Sequence, residues 1–120
     1  MHIMIVDDDD DIRGVLGLLL RSEGHQVEEA VDGIDALARL TAGSHPALIL
    51  LDMMMPRMDG SQTIAALRMQ RETATTPVIF LTAKTIGAEI QRMKDLGAAG
   101  VLIKPFDPRT LANEVLALVP

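Results

Sequence analysis

The sequence predicts an α/β fold, a doubly wound parallel sheet of five strands with five helices packed on its two faces. Short apolar runs alternate with stretches of helical periodicity along the chain. Several of the runs are apolar at consecutive positions, which is typical of strands that helices cover on both sides. The length of 120 residues fits one domain, for which roughly 100–200 residues is usual.

The five apolar runs are the predicted strands, and the second of them is the weakest. They cover residues 3–6, 26–30, 47–51, 78–81 and 101–103. Because strands that alternate with helices run parallel, the carboxyl ends of all five are expected at one edge of the sheet.

The first two helices are predicted from apolar spacing. The first has apolar residues at the i, i+3, i+4, i+7, i+8 spacing of one helical face, and Asp9, Asp10 or Asp11 is expected to cap it. The second starts near Gly33 and ends at Gly43, a residue suited to a left-handed helix stop. The residues predicted to face inward are Ile12, Val15, Leu16, Leu19 and Leu20 in the first helix and Ile34, Leu37 and Ala38 in the second.

The remaining helices are predicted over residues 61–71, over residues 87–96 and after Asp107. The fourth has only a thin apolar stripe of Ile90 and Met93. The fifth is expected to be capped by Asp107 with Pro108 in its first turn. Its predicted inner face consists of Leu111, Ala112, Val115, Leu116 and Val119.

Composition excludes several classes of function. The net charge is −6 and the basic residues are scattered, and Phe80 and Phe106 are the only aromatic residues, so direct binding of nucleic acid is not expected. Cysteine is absent, which excludes disulfides and thiolate metal sites. Neither a secretory signal nor a membrane span is indicated, and we expect a cytoplasmic protein.

Polar residues follow four of the predicted strands. Asp7 and Asp8 follow the first, Asp52 the third, Thr82 the fourth and Lys104 the fifth. At one edge of a parallel sheet these residues converge. Clustered carboxylates recruit a hard cation such as Mg²⁺, and an aspartate beside it can accept a phosphoryl group while a lysine and a hydroxyl bind the phosphoryl oxygens.

Each residue also has an ordinary structural interpretation. Alone, Thr82 is a turn residue and Lys104 is surface charge. Met53, Met54 and Met55 are interpreted as side chains that fill gaps, with Met54 offering at most its backbone carbonyl to the metal.

Four segments together resemble the receiver domain of two-component response regulators. They are Ile5-Val6-Asp7-Asp8, Leu51-Asp52-Met53-Met54-Met55-Pro56-Arg57-Met58-Asp59-Gly60, Leu81-Thr82-Ala83-Lys84 and Lys104-Pro105-Phe106. The resemblance covers residues 1–120 as one receiver domain. It implies a flavodoxin-like strand order of 2-1-3-4-5 and a cis peptide at Lys104-Pro105.

The resemblance also implies the roles of the site residues. Asp52 would accept a phosphoryl group from a histidine kinase or phosphotransfer protein, and the protein would catalyse only its own phosphorylation and dephosphorylation. Asp7 and Asp8 would bind Mg²⁺, Asp8 directly together with Asp52 and the Met54 carbonyl. Thr82 and Lys104 would bind the phosphoryl oxygens. The phosphorylated protein would act on a downstream protein target. It would be a monomer or a weak dimer.

One residue departs from the family pattern. Val101 stands three residues before the lysine, where the family commonly has Tyr or Phe. In the family that ring moves inward with the threonine. We therefore expect phosphorylation to be transmitted weakly, or through residues 83–87 instead.

Three alternative interpretations fit the sequence less well. Asp9-x-Asp11 has the D-x-D form of haloacid-dehalogenase phosphohydrolases, but it begins beyond the strand end and no cap domain fits in the chain. A calcium loop would need glycine where Ile12 stands and glutamate where Leu18 stands. A pseudo-receiver that is never phosphorylated typically lacks an acidic residue or the lysine. We expect a stand-alone, single-domain regulator, and a receiver cut from a longer protein would look the same.

Overall fold

The computed structural model describes residues 1–83 and 86–119, and five strands alternate with five helices within those ranges. The strands are β1 (His2–Val6), β2 (Gln26–Ala30), β3 (Leu48–Asp52), β4 (Val78–Thr82) and β5 (Gly100–Ile103). The helices are α1 (Asp10–Ser22), α2 (Gly33–Thr41), α3 (Gly60–Met69), α4 (Gly87–Asp95) and α5 (Leu111–Leu118). All neighbouring strands are parallel in the order β2-β1-β3-β4-β5, which confirms the predicted fold.

The core consists of two apolar layers, one on each face of the sheet. One layer lies against α2, α3 and α4, and the other against α1 and α5. Successive residues of β1, β3 and β4 alternate between the layers, and their apolar side chains are at most 1% exposed. This double coverage explains why these strands are apolar at consecutive positions.

The inner face of α2 differs from the prediction. Ile34 is 50% exposed and Ala38 is exposed, whereas Ala36 and Leu40 are buried. Asp32 caps the helix, and Gly33 lies so close to Thr63 that a Cβ would meet its hydroxyl at 2.2 Å. The close approach to α3 sets the rotation of α2, and apolar spacing alone does not reveal it.

For α1, the predicted capping residue is correct, but one of the residues predicted to face inward is exposed. The Asp9 side chain accepts the amide N–H groups of Asp11 and Ile12 and so caps the helix. Val15, predicted to face inward, is 51% exposed, and Arg13 is buried instead.

Helix α5 begins later than predicted. Asp107 does not cap it, because its carboxylate accepts the amide N–H of Arg109 and its carbonyl accepts that of Thr110, in a turn before the helix. Thr110 holds the N-cap position, and Leu116, predicted to face inward, is 44% exposed.

Gly43, just after the end of α2, has a φ of +113°, which confirms that this helix ends at a residue in the left-handed conformation.

No helix in the described ranges has the length and apolar character needed to cross a bilayer.

Gly60 lets α3 begin directly beside the end of β3. A Cβ at this position would lie 2.8 Å from the carbonyl oxygen of Asp52 and from Cα of Met53, and 2.9 Å from the Phe80 ring. Two of these neighbours are backbone atoms that cannot move without displacing the strand end. The missing side chain is therefore a requirement for the geometry around Asp52.

Gly60→Ala is expected to lower the free energy of unfolding by roughly 1–3 kcal/mol, the usual effect of overpacking. The matched control is Gly14→Ala in the middle of α1, where no atom lies within 4 Å of an added Cβ. That change should raise stability by roughly 0.5–1 kcal/mol, because alanine is the better helix former. Urea titration of both variants measures the difference, and two changes of the same sign would contradict the packing argument.

Candidate functional site

The carboxyl edge of the sheet brings the predicted site residues into one cavity. Asp52 is the last residue of β3, and Asp7 directly follows β1, the neighbouring strand in which Val6 pairs with Leu51. Thr82 ends β4, and Lys104 follows β5. The cavity measures about 260 Å³ and is lined by Asp7, Asp8, Asp9, Ile12, Asp52, Met54, Thr82, Ala83 and Lys104.

Three carboxylates in this cavity form an acidic cluster. Asp7 is 0% exposed and Asp52 4% exposed, whereas Asp8 is open to solvent. One oxygen of each side chain lies within 4.8 Å of the corresponding oxygens of the other two. Converging carboxylate oxygens with one solvent-facing member suit a hard cation that keeps some of its waters, so the residues are compatible with Mg²⁺.

The ammonium group of Lys104 lies between the two buried carboxylates. Its Nζ donates to Oδ2 of Asp7 at 3.1 Å and to Oδ1 of Asp52 at 3.2 Å. Burial alone would lower the pKa of Lys104, but the charges of Asp52 and Asp7 outweigh it and raise that pKa above its usual value. The lysine therefore stays charged and offsets part of the repulsion between the carboxylates.

Asp52 remains unusually basic despite this lysine. Burial, and then the negative charge of Asp7, raise the pKa of Asp52 to about 6. Lys104 and the amide N–H of Met54, which lies 3.4 Å from Oδ1, act in the opposite direction without cancelling the effect. Asp52 is thus ionised at neutral pH while keeping a high affinity for a cation or proton.

The backbone and side chain of Asp7 are held by four neighbours. Its N–H donates to the carbonyl of Ala30, and its Oδ1 accepts the N–H of Asp9 at 2.9 Å. Its Oδ2 accepts from Lys104, and its carbonyl oxygen accepts from Nη1 of Arg13 at 2.6 Å. The orientation of this carboxylate is consequently determined by three different elements of the fold.

Sequence reasoning missed two arginines near the site. Arg13 is 9% exposed and contacts the end of β1. Arg57, in the loop after β3, has a positive φ of 65° and forms an ion pair with the buried Asp32, which ties that loop to the start of α2. The signal for Arg13 was present, because it lies three and seven residues before the buried Leu16 and Leu20 on one helical face. Nothing local in the sequence indicates the pair of Arg57 and Asp32.

The three consecutive methionines have different environments. Met55 is 8% exposed and packs in the core. Met53 is partly buried and packs against the same core layer. Met54 is 65% exposed and lines the acidic cavity, so the interpretation as a filling side chain is wrong for this residue. Its backbone carbonyl as a metal ligand remains a prediction.

Other predicted features of the edge have mixed outcomes. The Lys104-Pro105 peptide bond is cis, as the resemblance implied. Val101 is partly buried and packs against the layer of α2, α3 and α4, and its effect on signal transmission stays a prediction. Within the motif Leu81-Thr82-Ala83-Lys84 and the segment 83–87, residues 84 and 85 lie outside the described residues.

A second cavity adjoins the acidic one. It measures about 420 Å³ and lies between α1 and the segment after β5, lined by Asp11, Ile12, Val15, Leu19, Ala83, Lys104, Pro105 and Phe106. Ile12, Ala83 and Lys104 line both cavities. We call this second cavity the α1 groove; most of its lining side chains are apolar.

The D-x-D alternative is not supported by the position of its aspartates. Asp9 caps α1, and Asp11 lies on the exposed side of that helix. The carboxylates that contact Lys104 are those of Asp52, on the third strand, and Asp7, directly after the first.

Residues 3–116 match the family model described as the response regulator receiver domain. Protein PilG of Pseudomonas aeruginosa is 38% identical over 120 residues, which cover 100% of this chain and 88% of PilG. The transcriptional regulatory protein SrrA of Staphylococcus aureus is 41% identical over 98% of this chain but 47% of SrrA, so the chain spans about half of that relative. The solved structure of chemotaxis protein CheY4 of Vibrio cholerae aligns with a TM-score of 0.90 at 36% identity, covering 98% of this chain and 97% of the other.

The raised pKa of Asp52 predicts a pH-dependent effect of Asp52→Asn on stability. The folded carboxyl binds its proton more tightly than the unfolded one, so ionisation destabilises the fold as pH rises from about 4 to about 6. Without divalent cations, Asp52→Asn should raise the free energy of unfolding by ~2–3 kcal/mol at about pH 7.5 and by much less near pH 4. Urea titrations in chelator across this range measure the difference.

Asp59→Asn is the control for this prediction. Hydrogen bonds at the start of α3 lower the pKa of Asp59, so the stability that its charge contributes is present at neutral pH and lost as pH falls. The free energy of unfolding of Asp59→Asn should fall below that of wild type as pH rises, which is the opposite of the trend expected for Asp52→Asn. A difference for Asp52→Asn that does not vary with pH would contradict the assignment of a raised pKa.

Proposed function

The chain belongs to the response regulator receiver domain family, a signalling module with a histidine kinase as partner, and we propose that it accepts a phosphoryl group on Asp52. One observation carries this proposal: Asp52 shares a single cavity with Lys104 and with the carboxylates of Asp7 and Asp8. The donor would be the phosphohistidine of a histidine kinase or phosphotransfer protein, and the product an aspartyl phosphate. Residues 1–120 would act as one receiver domain.

The chemistry of the transfer follows from the groups in the cavity. An oxygen of the Asp52 carboxylate attacks phosphorus, the new O–P bond forms as the P–N bond of the phosphohistidine breaks, and the electron pair returns to the imidazole. The pKa of Asp52, raised to about 6 by burial and by the charge of Asp7, leaves its carboxylate ionised at neutral pH, the form that attacks phosphorus. Attack of water on phosphorus later breaks the O–P bond, releases inorganic phosphate and returns the protein to its starting state.

Two side chains are suited to bind the transferred group. The ammonium of Lys104, held between two carboxylates, is available to a phosphoryl oxygen once Asp52 has been phosphorylated. Thr82 is 1% exposed at the end of β4 and lines the cavity, so its hydroxyl is suited to donate to a second oxygen. Each interaction attaches the phosphoryl group to a different strand.

Asp7, Asp8 and Asp52, with the carbonyl of Met54, are the residues that would hold Mg²⁺. When bound, Mg²⁺ supplies positive charge to the phosphoryl oxygens and lowers the repulsion among the carboxylates. Asp8 is the exposed member of the cluster, and we infer that it binds the metal directly. Asp7 is already held by four hydrogen bonds and fixes the local backbone.

The α1 groove is the surface on which we propose that the donor protein docks. It shares Ile12, Ala83 and Lys104 with the acidic cavity, so a helix lying on it brings its own side chains to the entrance of that cavity. Val15 is 51% exposed and forms part of its apolar lining. A downstream protein would be the target, and from the family we infer a cytoplasmic monomer or weak dimer.

Asp52→Asn should abolish phosphorylation, because it removes the proposed acceptor, and Asp7, which also contacts Lys104, is 0% exposed and held by four hydrogen bonds. The protein is incubated with acetyl phosphate and Mg²⁺, and the mass of the intact chain is measured over time. Asp59→Asn, which removes a carboxylate at the start of α3, should leave phosphate uptake as in wild type. Equal uptake by wild type and Asp52→Asn would refute the proposal.

Asp8→Ala should weaken Mg²⁺ binding by at least about 10-fold, since a directly bound carboxylate is lost. The control is Asp11→Ala, which removes the same charge from the acidic run but lies on the exposed side of α1. Amide chemical shifts recorded during a Mg²⁺ titration give both affinities. Equal losses in the two variants would mean that Mg²⁺ responds only to the general negative charge.

A further inference from the structure

Arg13 is a buried cation next to the acidic cluster that the transfer chemistry does not use. Only 9% of the residue is exposed, and it lies on the sheet-facing side of α1 with Leu16 and Leu20. Removing a guanidinium group from water is unfavourable by several kcal/mol unless it gains good partners. An apolar residue would fill this position without that penalty, so the hydrogen-bonding groups of Arg13 need an explanation.

The contacts of Arg13 connect three elements of the fold. Its Nη1 donates to the carbonyl oxygen of Asp7 at 2.6 Å, and its Nη2 forms an ion pair with Asp10 in the first turn of α1. Its Nε faces Glu29 of β2 at 3.6 Å and is buried without a hydrogen-bond partner. The best-formed buried contact is therefore the one to the backbone of Asp7.

The carbonyl of Asp7 belongs to the peptide group that leads into Asp8. Rotation of this peptide would change the direction in which the Asp8 side chain leaves the backbone. Asp8 itself is exposed, so burial does not restrain it. A hydrogen bond from a buried guanidinium restrains this peptide.

Arg21 provides an internal comparison within the same helix. It also forms an ion pair with Glu29, at 3.3 Å, and donates to a β2 carbonyl, that of Val27. Its side chain is 50% exposed, and both of these partners, Glu29 and Val27, belong to β2. The two arginines therefore share the tie between α1 and β2, whereas the contact with Asp7 belongs to Arg13.

We propose that Arg13 is a positioning residue of the metal site: its bond to the Asp7 carbonyl fixes the Asp7–Asp8 peptide and thereby directs the Asp8 carboxylate. The metal part of this inference rests on the proposed function. Arg13 does not touch the metal or the phosphoryl group and acts only through the backbone.

The test compares Arg13→Met, Arg13→Lys and Arg21→Met with wild type in a Mg²⁺ titration followed by amide chemical shifts. Loss of an outer-shell partner usually weakens metal binding by roughly 10–100-fold, and we expect about 10-fold for Arg13→Met. Arg13→Lys keeps one donor and should recover part of the affinity, while Arg21→Met should stay within about 2-fold of wild type. Phosphorylation of Arg13→Met by acetyl phosphate should approach the wild-type rate at saturating Mg²⁺, which a general loss of structure would not allow.

A second measurement needs no metal. The amide N–H of Asp9 donates to Oδ1 of Asp7, so its hydrogen exchange reports on the same turn. Exchange should become at least about 3-fold faster in Arg13→Met and stay unchanged in Arg21→Met. Wild-type Mg²⁺ affinity together with wild-type Asp9 exchange in Arg13→Met, or equal effects of the two Met variants, would overturn the proposal. If wild type itself failed to bind Mg²⁺, the metal part of the proposed function would fail, and Asp9 exchange would still decide the positioning role.

Discussion

The arrangement of the site depends on one ammonium group placed between two buried carboxylates. Asp7 and Asp52 lie side by side because β1 and β3 are neighbours, and two such charges in a poorly solvated place repel each other strongly. Lys104 reaches both from the far end of the chain. The charge balance therefore requires the complete strand order, since β5 must lie at the correct height beyond β4 for the lysine to arrive.

The architecture was predictable because strands that helices cover on both faces are apolar at consecutive positions, and this pattern is visible in the sequence. Consecutive apolar residues such as Leu48 to Leu51 have little alternative to a strand buried on both faces. The helical faces were less predictable. Apolar spacing placed Ile34 inward, but the close contact of Gly33 with Thr63 sets the actual rotation of α2, and contacts between distant segments do not appear in a local pattern.

Part of the candidate site could likewise be predicted from the sequence, and part could not. A simple rule predicts the site residues at the strand ends, because parallel strands all end at one edge of the sheet. These residues are Asp52 and Thr82, which end β3 and β4, and Asp7, which directly follows β1. The same rule does not predict the residues that hold them in place. The spacing of Arg13 places it on one helical face with Leu16 and Leu20, but its partner, the Asp7 carbonyl, is visible only in the fold. Arg57 and Asp32 are 25 residues apart, and only the fold reveals that they meet.

The acidic cavity and the α1 groove share a wall but differ in physical character. One is lined by carboxylates and a lysine, the other mostly by apolar side chains. Dissolved salt screens the exposed carboxylate of Asp8 and affects the ion pair of Asp7 and Lys104 much less, whereas cooling weakens apolar association in the α1 groove. Ionic strength and temperature therefore act on the two surfaces separately. Ile12, Ala83 and Lys104 line both cavities, so a substitution at any of these three would change both responses at once.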